Sequence, residues 1–212
     1  MEDTPFDMER VLAAIERGSK LIDEAISTGD RQKLIRTVEN YAAENPDPPT
    51  TFYSGPGTIM VNGTPVSSPA PEHITPEWRL GMMFYNVGNG CRNQGKHELA
   101  IDMYQEAINR GYIYPSVYNN MAGTQKELGR YIDALQSYAK ALELEPQYLI
   151  GYLRMASMIV TYTDIPQNDA ADLVVKFFAR GGTIEILQEF TMGRPTHEER
   201  ETFLQFLKST FQ

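Results

Sequence analysis

The sequence is poor in the residues that build disulfide frameworks, metal sites and membrane spans. It has one cysteine, Cys91, which excludes an internal disulfide and fits a reducing compartment. The three histidines, His73, His97 and His197, have no cysteine or carboxylate at metal-ligand spacing. No apolar run approaches the roughly 18 residues that cross a bilayer. We therefore expect no metal site, no cofactor and no membrane association.

Basic residues are also scarce. The chain has 19 Lys and Arg against 28 Asp and Glu, a formal net charge of -9. Proteins that bind nucleic acid need clustered Lys and Arg to meet the phosphates, so no nucleic-acid partner is expected. The acidic start, residues 1–5, lacks the basic-then-apolar order of a signal peptide. Together with the single cysteine, this predicts a cytoplasmic protein.

Catalytic motifs are missing as well. The glycine-rich segment Ser54–Thr58 lacks the Gly-Lys-Ser/Thr ending of a phosphate-binding loop. Cys91 lies on a predicted helix, where a half-buried structural thiol is expected. Glu198, Glu199 and Glu201 are predicted to be charges of a helix start and a solvated face. No catalytic constellation results, so we expect a protein that is not an enzyme.

The sequence does contain an internal repeat with a spacing of 34 residues. The aligned pairs are Phe84 with Tyr118, Asn86 with Asn120, Gly95 with Gly129, Ala100 with Ala134, Tyr104 with Tyr138, and Ala107 with Ala141. Pro146 closes the second copy, and Tyr112 stands at its place in the first. In period and residue types the chain resembles the tetratricopeptide-repeat (TPR) family, whose 34-residue units are helical hairpins.

This resemblance implies an all-α fold, a right-handed superhelix (α-solenoid) of helical hairpins. Residues 76–182 would hold about three repeats, of which Trp78–Gly111 and Tyr112–Pro146 are clear. In the third, Ala171, Val175 and Phe178 resemble the second-helix pattern, after a turn with about three extra residues.

The tail, residues 183–212, is predicted to hold two helical segments that cap the last repeat. The second opens with a capping box, in which Thr196 is followed three residues later by Glu199. Because a solenoid exposes a hydrophobic end unless something covers it, covering that end is the expected role. A dimerisation helix is the alternative.

Two further segments precede the repeats. Residues 1–45 predict a helical hairpin with N-cap Asp30, which is either a degenerate repeat or an unrelated hairpin. Residues 46–75 form a Pro/Gly-rich insertion, in which Asn62-Gly63 between apolar residues predicts a β-hairpin. The insertion is either a mobile linker or a regulatory segment that packs into the repeat groove.

The resemblance also implies a binding site, because the first helices of TPR proteins line a groove that takes an extended peptide. The corresponding peptide-binding positions here are Tyr85, Asn89, Arg92, Asn119, Asn120, Lys126, Ile150 and Arg154. Some TPR co-chaperones grip a C-terminal carboxylate with two lysines, two asparagines and an arginine. Asn89, Asn120 and Arg154 match that set, but Tyr85 and Ile150 stand where it has lysine. An altered clamp and a generic repeat consensus both remain open.

The leading hypothesis is a non-enzymatic adaptor or co-chaperone that binds a peptide segment of a protein partner. A second hypothesis is a dedicated chaperone resembling the three-repeat chaperones of type III secretion, which act as homodimers. A third is an enzyme subunit whose site lies in the 46–75 insertion.

Overall fold

The computed structural model describes residues 8–45, 59–61, 64–66, 75–193 and 196–211. Within them the chain is helical apart from one short β-hairpin. The elements are α1 Met8–Thr28, α2 Arg31–Glu44, β1 Ile59–Val61, β2 Thr64–Val66, α3 Pro76–Asn93, α4 His97–Asn109, α5 Pro115–Glu127, α6 Tyr131–Leu144, α7 Leu149–Tyr162, α8 Gln167–Ala179, α9 Ile184–Met192 and α10 His197–Phe211. The predicted all-α fold class is confirmed.

The helices divide into two compact units, with α1–α4 in the first and β1, β2 and α5–α10 in the second. In the first unit α1 pairs with α2 and α3 with α4. In the second, α5 pairs with α6 and α7 with α8. Each of these is a helical hairpin of the kind that the repeat predicts. The division into domains at residues 45, 75 and 182 stays a prediction.

Local signals explain where these helices begin and turn. The Asp30 side chain accepts a hydrogen bond of 3.0 Å from the Lys33 backbone N–H, and Thr75 accepts one of 3.1 Å from Trp78. Both side chains satisfy backbone donors that the first turn of a helix leaves without partners. In the turns of the clear repeats, Gly95 has φ 71° and Gly129 has φ 73°, a region that favours glycine.

The second helices of the hairpins share one burial pattern, three inward positions separated by four and then three residues. The buried sets are Leu34, Val38 and Tyr41 in α2; Ala100, Tyr104 and Ala107 in α4; Ala134, Tyr138 and Ala141 in α6; and Ala170, Val174 and Phe177 in α8. Helical geometry places such residues on one face.

This pattern corrects the expected register of α8. Ala171, Val175 and Phe178 were expected to face inward, but Val175 is 54% exposed and Phe178 37% exposed. The buried residues lie one position earlier. Phe177 therefore matches Ala141, and the turn before α8 carries two extra residues instead of about three. A shift of one residue rotates a helical side chain by about 100°, which is enough to change its face.

The β-hairpin predicted from Asn62-Gly63 is present. Strands β1 and β2 are antiparallel, with Ile59 paired with Val66 and Val61 paired with Thr64. This register leaves two residues for the turn, as an Asn-Gly hairpin requires. The rest of the 46–75 insertion, apart from Thr75, lies outside the described residues. Its two alternative roles, a mobile linker or a regulatory segment, therefore stay predictions.

The tail helices pack against the last hairpin, and their role as a cap stays a prediction. Helix α10 packs against α7 and α9, and α9 also contacts α7. Phe203 is fully buried and Phe206 is 3% exposed, both in the core cluster of the second unit. Buried residues occur on every side of α7, which agrees with helices packed against it from several directions.

Close helix crossings explain the small residues of the repeat. A Cβ atom added at Gly88 would lie 2.6 Å from the Tyr104 ring, so only glycine fits between α3 and α4. Ala134 of α6 is fully buried in the core cluster of the second unit. Larger side chains at such positions have no space to occupy.

We expect Ala134→Leu to lower the free energy of unfolding by roughly 1–3 kcal/mol, because the added atoms overpack a filled core. Urea denaturation measures the change. Ala139→Leu on the same helix is the matched control, since Ala139 lines a surface cavity that can accept the side chain. Equal stabilities of the two variants would contradict the prediction.

Candidate functional site

In the first unit, the predicted binding residues lie along α3. Tyr85 is 8% exposed, and its ring centroid lies 5.5 Å from that of Tyr112. One turn later, the side-chain oxygen of Asn89 accepts a hydrogen bond of 2.9 Å from the Tyr104 hydroxyl. Arg92 is half-buried in the last turn. Asn89 therefore helps to hold α4 against α3, in addition to any binding role.

In the second unit, Asn119 and Asn120 of α5 belong to a hydrogen-bond chain. The Tyr148 hydroxyl donates to the side-chain oxygen of Asn119 at 2.5 Å, and the Asn119 amide donates to the side-chain oxygen of Asn120 at 3.2 Å. Burial raises the pKa of Tyr148 to about 12, so this hydroxyl keeps its proton at neutral pH. The chain links the start of α7 to α5.

Arg154 lies beside this chain, one turn after Ile150 on α7. Both residues are half-buried. The Arg154 guanidinium carbon is 6.0 Å from the centroid of the Tyr138 ring, and its Nη1 is 3.5 Å from the Tyr138 hydroxyl oxygen. Burial acts to lower the pKa of Arg154, but Tyr148 and Tyr138 outweigh it, and the net pKa lies above the usual value. Arg154 is therefore a permanent cation at this place.

Arg154 has no carboxylate partner in the part of the chain that the structure describes. Half-buried cations are normally paired, because burial without a partner costs free energy. The polar patch formed by Asn119, Asn120, Tyr148 and Arg154 can thus receive an anionic group.

Lys126 has a different environment from the other predicted residues. Its Nζ lies 2.5 Å from Oε1 of Glu199, at the start of α10. The Tyr162 hydroxyl donates a hydrogen bond to the same carboxylate oxygen. Lys126 also lies 5.2 Å from the centroid of the Tyr162 ring, which stacks on Tyr131. The charge of Lys126 is therefore balanced within the chain.

Glu199 is a correction to the sequence analysis, which placed it on a solvated face. Its side chain is only 2% exposed. The N-cap half of the predicted capping box is present, since the Glu199 N–H donates to Thr196 Oγ1 at 3.1 Å, but the Glu199 carboxylate turns inward to Lys126. The sequence offered a signal for this burial. Helix α7, Leu149–Tyr162, has almost no polar residues, which predicts that other helices, such as the one that carries Glu199, cover it on every side.

Cys91 is also more buried than expected. It is fully inaccessible instead of half-buried, and burial raises the pKa of its thiol to about 12. Because thiolate is the reactive form, Cys91 is unsuited to nucleophilic chemistry. Among the described residues there is also no group of three metal-binding side chains.

We expect Cys91 in the folded protein to react with Ellman's reagent at least about 100-fold more slowly than in denaturant, because labelling requires opening of the core. The pKa rises from 9.0 to about 12 on folding, so the folded state holds this proton more tightly. The Cys91 thiol therefore contributes to the free energy of unfolding in full below pH 9.0, and this contribution is lost as the pH rises toward 12. Labelling of Cys91 that is as fast in native buffer as in denaturant would contradict the predicted protection.

The sequence of the α5–α6 hairpin identifies the family. A sequence model described as "Tetratricopeptide repeat" matches residues 115–148, which begin with α5 and end just after α6. The chain contains a tetratricopeptide repeat. The predicted family is thereby confirmed.

Curated relatives resemble parts of this TPR protein. The "Hsp70-Hsp90 organising protein" of Plasmodium falciparum is 32% identical over 68 residues, which are 32% of this chain and 27% of that protein. "Hsp70-Hsp90 organizing protein 2" of Arabidopsis thaliana is 34% identical over 71 residues, which are 34% of this chain and 12% of that protein. The "Mitochondrial import receptor subunit TOM70" of Homo sapiens is 28% identical over 141 residues, which are 63% of this chain and 21% of that protein.

The TPR protein thus spans only about an eighth to a quarter of the length of these relatives. A solved structure titled "Crystal structure of MamA protein" has 13% sequence identity and a TM-score of 0.43, over 79% of this chain and 91% of that chain. Among the described residues, no helix is both long and apolar enough to cross a membrane.

Proposed function

We propose that this TPR protein is a non-enzymatic adaptor or co-chaperone, which binds a peptide segment of a partner protein along its first helices. Relatives named for organising Hsp70 and Hsp90 share part of its sequence, which supports the co-chaperone proposal. We place this function in the cytoplasm, because the single cysteine fits a reducing compartment.

The observation that carries the proposal is the Arg154 guanidinium. It is half-buried and charged, and no described carboxylate forms an ion pair with it. We assign to it an anionic group of the peptide, and to Asn120 a peptide backbone group. Ile150, one turn earlier on α7, would contact an apolar side chain. In the first unit, considered by itself, Tyr85, Asn89 and Arg92 stay proposed peptide-binding residues.

The absence of lysine at positions 85 and 150 determines which peptide fits. A charge-assisted hydrogen bond is about twice as strong as a neutral one, so a clamp with one arginine holds a carboxylate less tightly than a clamp with three cations. Tyr85 and Ile150 instead add apolar contact area. The expected ligand is therefore a peptide with one acidic group beside apolar or aromatic residues.

Affinity capture from a cell lysate tests the proposal. The wild type is compared with Asn89→Ala/Asn120→Ala/Arg154→Ala and with Arg154→Ala alone. The single variant is the sharper one, because Asn89 also accepts the Tyr104 hydrogen bond and its loss lowers stability by about 1 kcal/mol. The matched control is Gln105→Ala/Gln188→Ala/Lys208→Ala, at three exposed positions.

Proteins captured by the wild type and the control but released by Arg154→Ala would support the proposal. Their retention on both site variants, with folding verified by circular dichroism, would overturn it. Sedimentation equilibrium separates the proposal from the homodimeric secretion chaperone, because the adaptor is expected to bind its peptide as a monomer.

A further inference from the structure

The second unit has a groove between α6 and α8 that the proposed peptide site does not use. Two adjoining cavities, of about 680 Å³ and 460 Å³, form it and share Ile132 and Ile165. Each volume lies in the range of clefts that bind ligands. Neither Asn120 nor Arg154 lines either cavity. We call this surface the α6–α8 groove.

The floor and one wall of the groove are apolar. Met155 and Ile159 of α7 form the floor, and Ile132, Leu135 and Ala139 of α6 line the wall. Ile132 is 53% exposed, which is high for a large apolar side chain beside a cavity. These wall residues follow each other at i, i+3 and i+7, so they form a stripe about 10 Å long. Such a stripe fits the apolar face of another helix.

The rim of the groove is acidic. Asp133 and Asp164 lie at one cavity, and Asp169 and Asp172 lie on α8 at the other. All four are exposed, and within the described ranges none of them forms an ion pair. They outnumber the two cations that also line the groove, Arg130 and Lys176.

From this combination we propose that the α6–α8 groove is a docking site for a basic amphipathic helix of another protein. Apolar side chains of that helix, one turn apart, enter the two cavities over Met155 and Ile159. Its Lys and Arg side chains meet the aspartates of the rim, which gives both attraction and orientation. An acidic helix with the same apolar stripe is repelled by the rim. This site goes beyond the proposed function and does not depend on it.

A designed peptide serves as the probe, and fluorescence anisotropy at low ionic strength measures its binding to the full chain. The probe is a labelled peptide of about 14 residues, with Leu at i, i+3, i+4 and i+7 and Lys elsewhere. One control peptide has the same composition in scrambled order, which removes the apolar face. The other has Glu in place of Lys. Tighter binding of the patterned Lys peptide than of both controls is expected.

The variants separate groove binding from general attraction to an acidic protein. Asp133→Asn/Asp169→Asn/Asp172→Asn should weaken binding about tenfold. The matched control, Glu16→Gln/Glu24→Gln/Glu189→Gln, removes the same charge from exposed positions outside the groove and should weaken it less than about twofold. Ile132→Glu should weaken binding about tenfold although it adds negative charge, because it removes an apolar contact.

Three results would each overturn the proposal. The first is equal binding of the scrambled and the patterned Lys peptides. The second is an equal loss of affinity in the aspartate variant and its glutamate control. The third is unchanged or tighter binding to Ile132→Glu. All substituted side chains are exposed, so the variants are expected to fold, and circular dichroism verifies this.

Discussion

Lys126→Met is expected to lower the free energy of unfolding by about 3 kcal/mol, because it leaves the buried Glu199 carboxylate without its cation. Glu199 is 2% exposed, so water cannot replace the Lys126 ammonium group. The Tyr162 hydroxyl still donates to Glu199, but a neutral donor does not balance a buried charge. Urea denaturation of the purified chain measures the change.

Two further variants test whether burial of Glu199 is the cause of the loss expected for Lys126→Met. Lys140→Met removes the cation of the exposed Lys140–Glu143 pair, whose side chains are 59% and 63% exposed, and should leave the free energy of unfolding almost unchanged, because water screens such a pair. The double variant Lys126→Met/Glu199→Leu removes both buried charges and should recover most of the loss, because apolar groups of similar size often replace a buried pair without cost. A loss no greater for Lys126→Met than for Lys140→Met would refute the prediction.

Phe203→Ala should lower the free energy of unfolding by about 3–5 kcal/mol, since it empties a filled position in the core cluster of the second unit. The Phe203 ring is fully buried and packs against Phe190 and Phe206, at centroid distances of 5.9 Å in both cases. The prediction therefore tests whether α10 is an integral part of the core. Urea denaturation is again the measurement.

Phe211→Ala, on the same helix, is the matched control. Phe211 is 49% exposed and contacts Phe206 at the end of α10, so its removal should cost less than about 1 kcal/mol. Similar small losses for both variants would mean that α10 adds little to the core. In that case it would be a detachable segment instead of a cap.

Local features of the fold were predictable because they depend on residues close together in the chain. Thr75 and Pro76 place the start of α3, and Thr196 places the start of α10. The register of α8 was not predictable from the repeat, because the turn after Tyr162 differs in length from the others. Only the exposure of Val175 showed which face of the helix is inside.

For the proposed binding residues, too, the sequence predicted some features and only the structure showed others. The repeat register predicted that Asn120 and Arg154 lie on first helices, and the structure adds their neighbours, Tyr148 and Tyr138. It also shows that Lys126 is already paired with Glu199. Their role in binding stays a proposal, because side-chain position along a helix does not by itself reveal a ligand.

The sequence by itself determined the family, the helical hairpins and most helix ends, because periodicity, caps and turn glycines act within a few residues. The tertiary structure decided which charges are buried and which apolar residues stay exposed. Lys126 and Glu199 are 73 residues apart, and their contact depends on how α10 packs against α7. The α6–α8 groove likewise exists only because the packing of three helices leaves Ile132 uncovered beside four aspartates. Packing of this kind arises from side-chain shape across distant segments, which a repeat pattern does not specify.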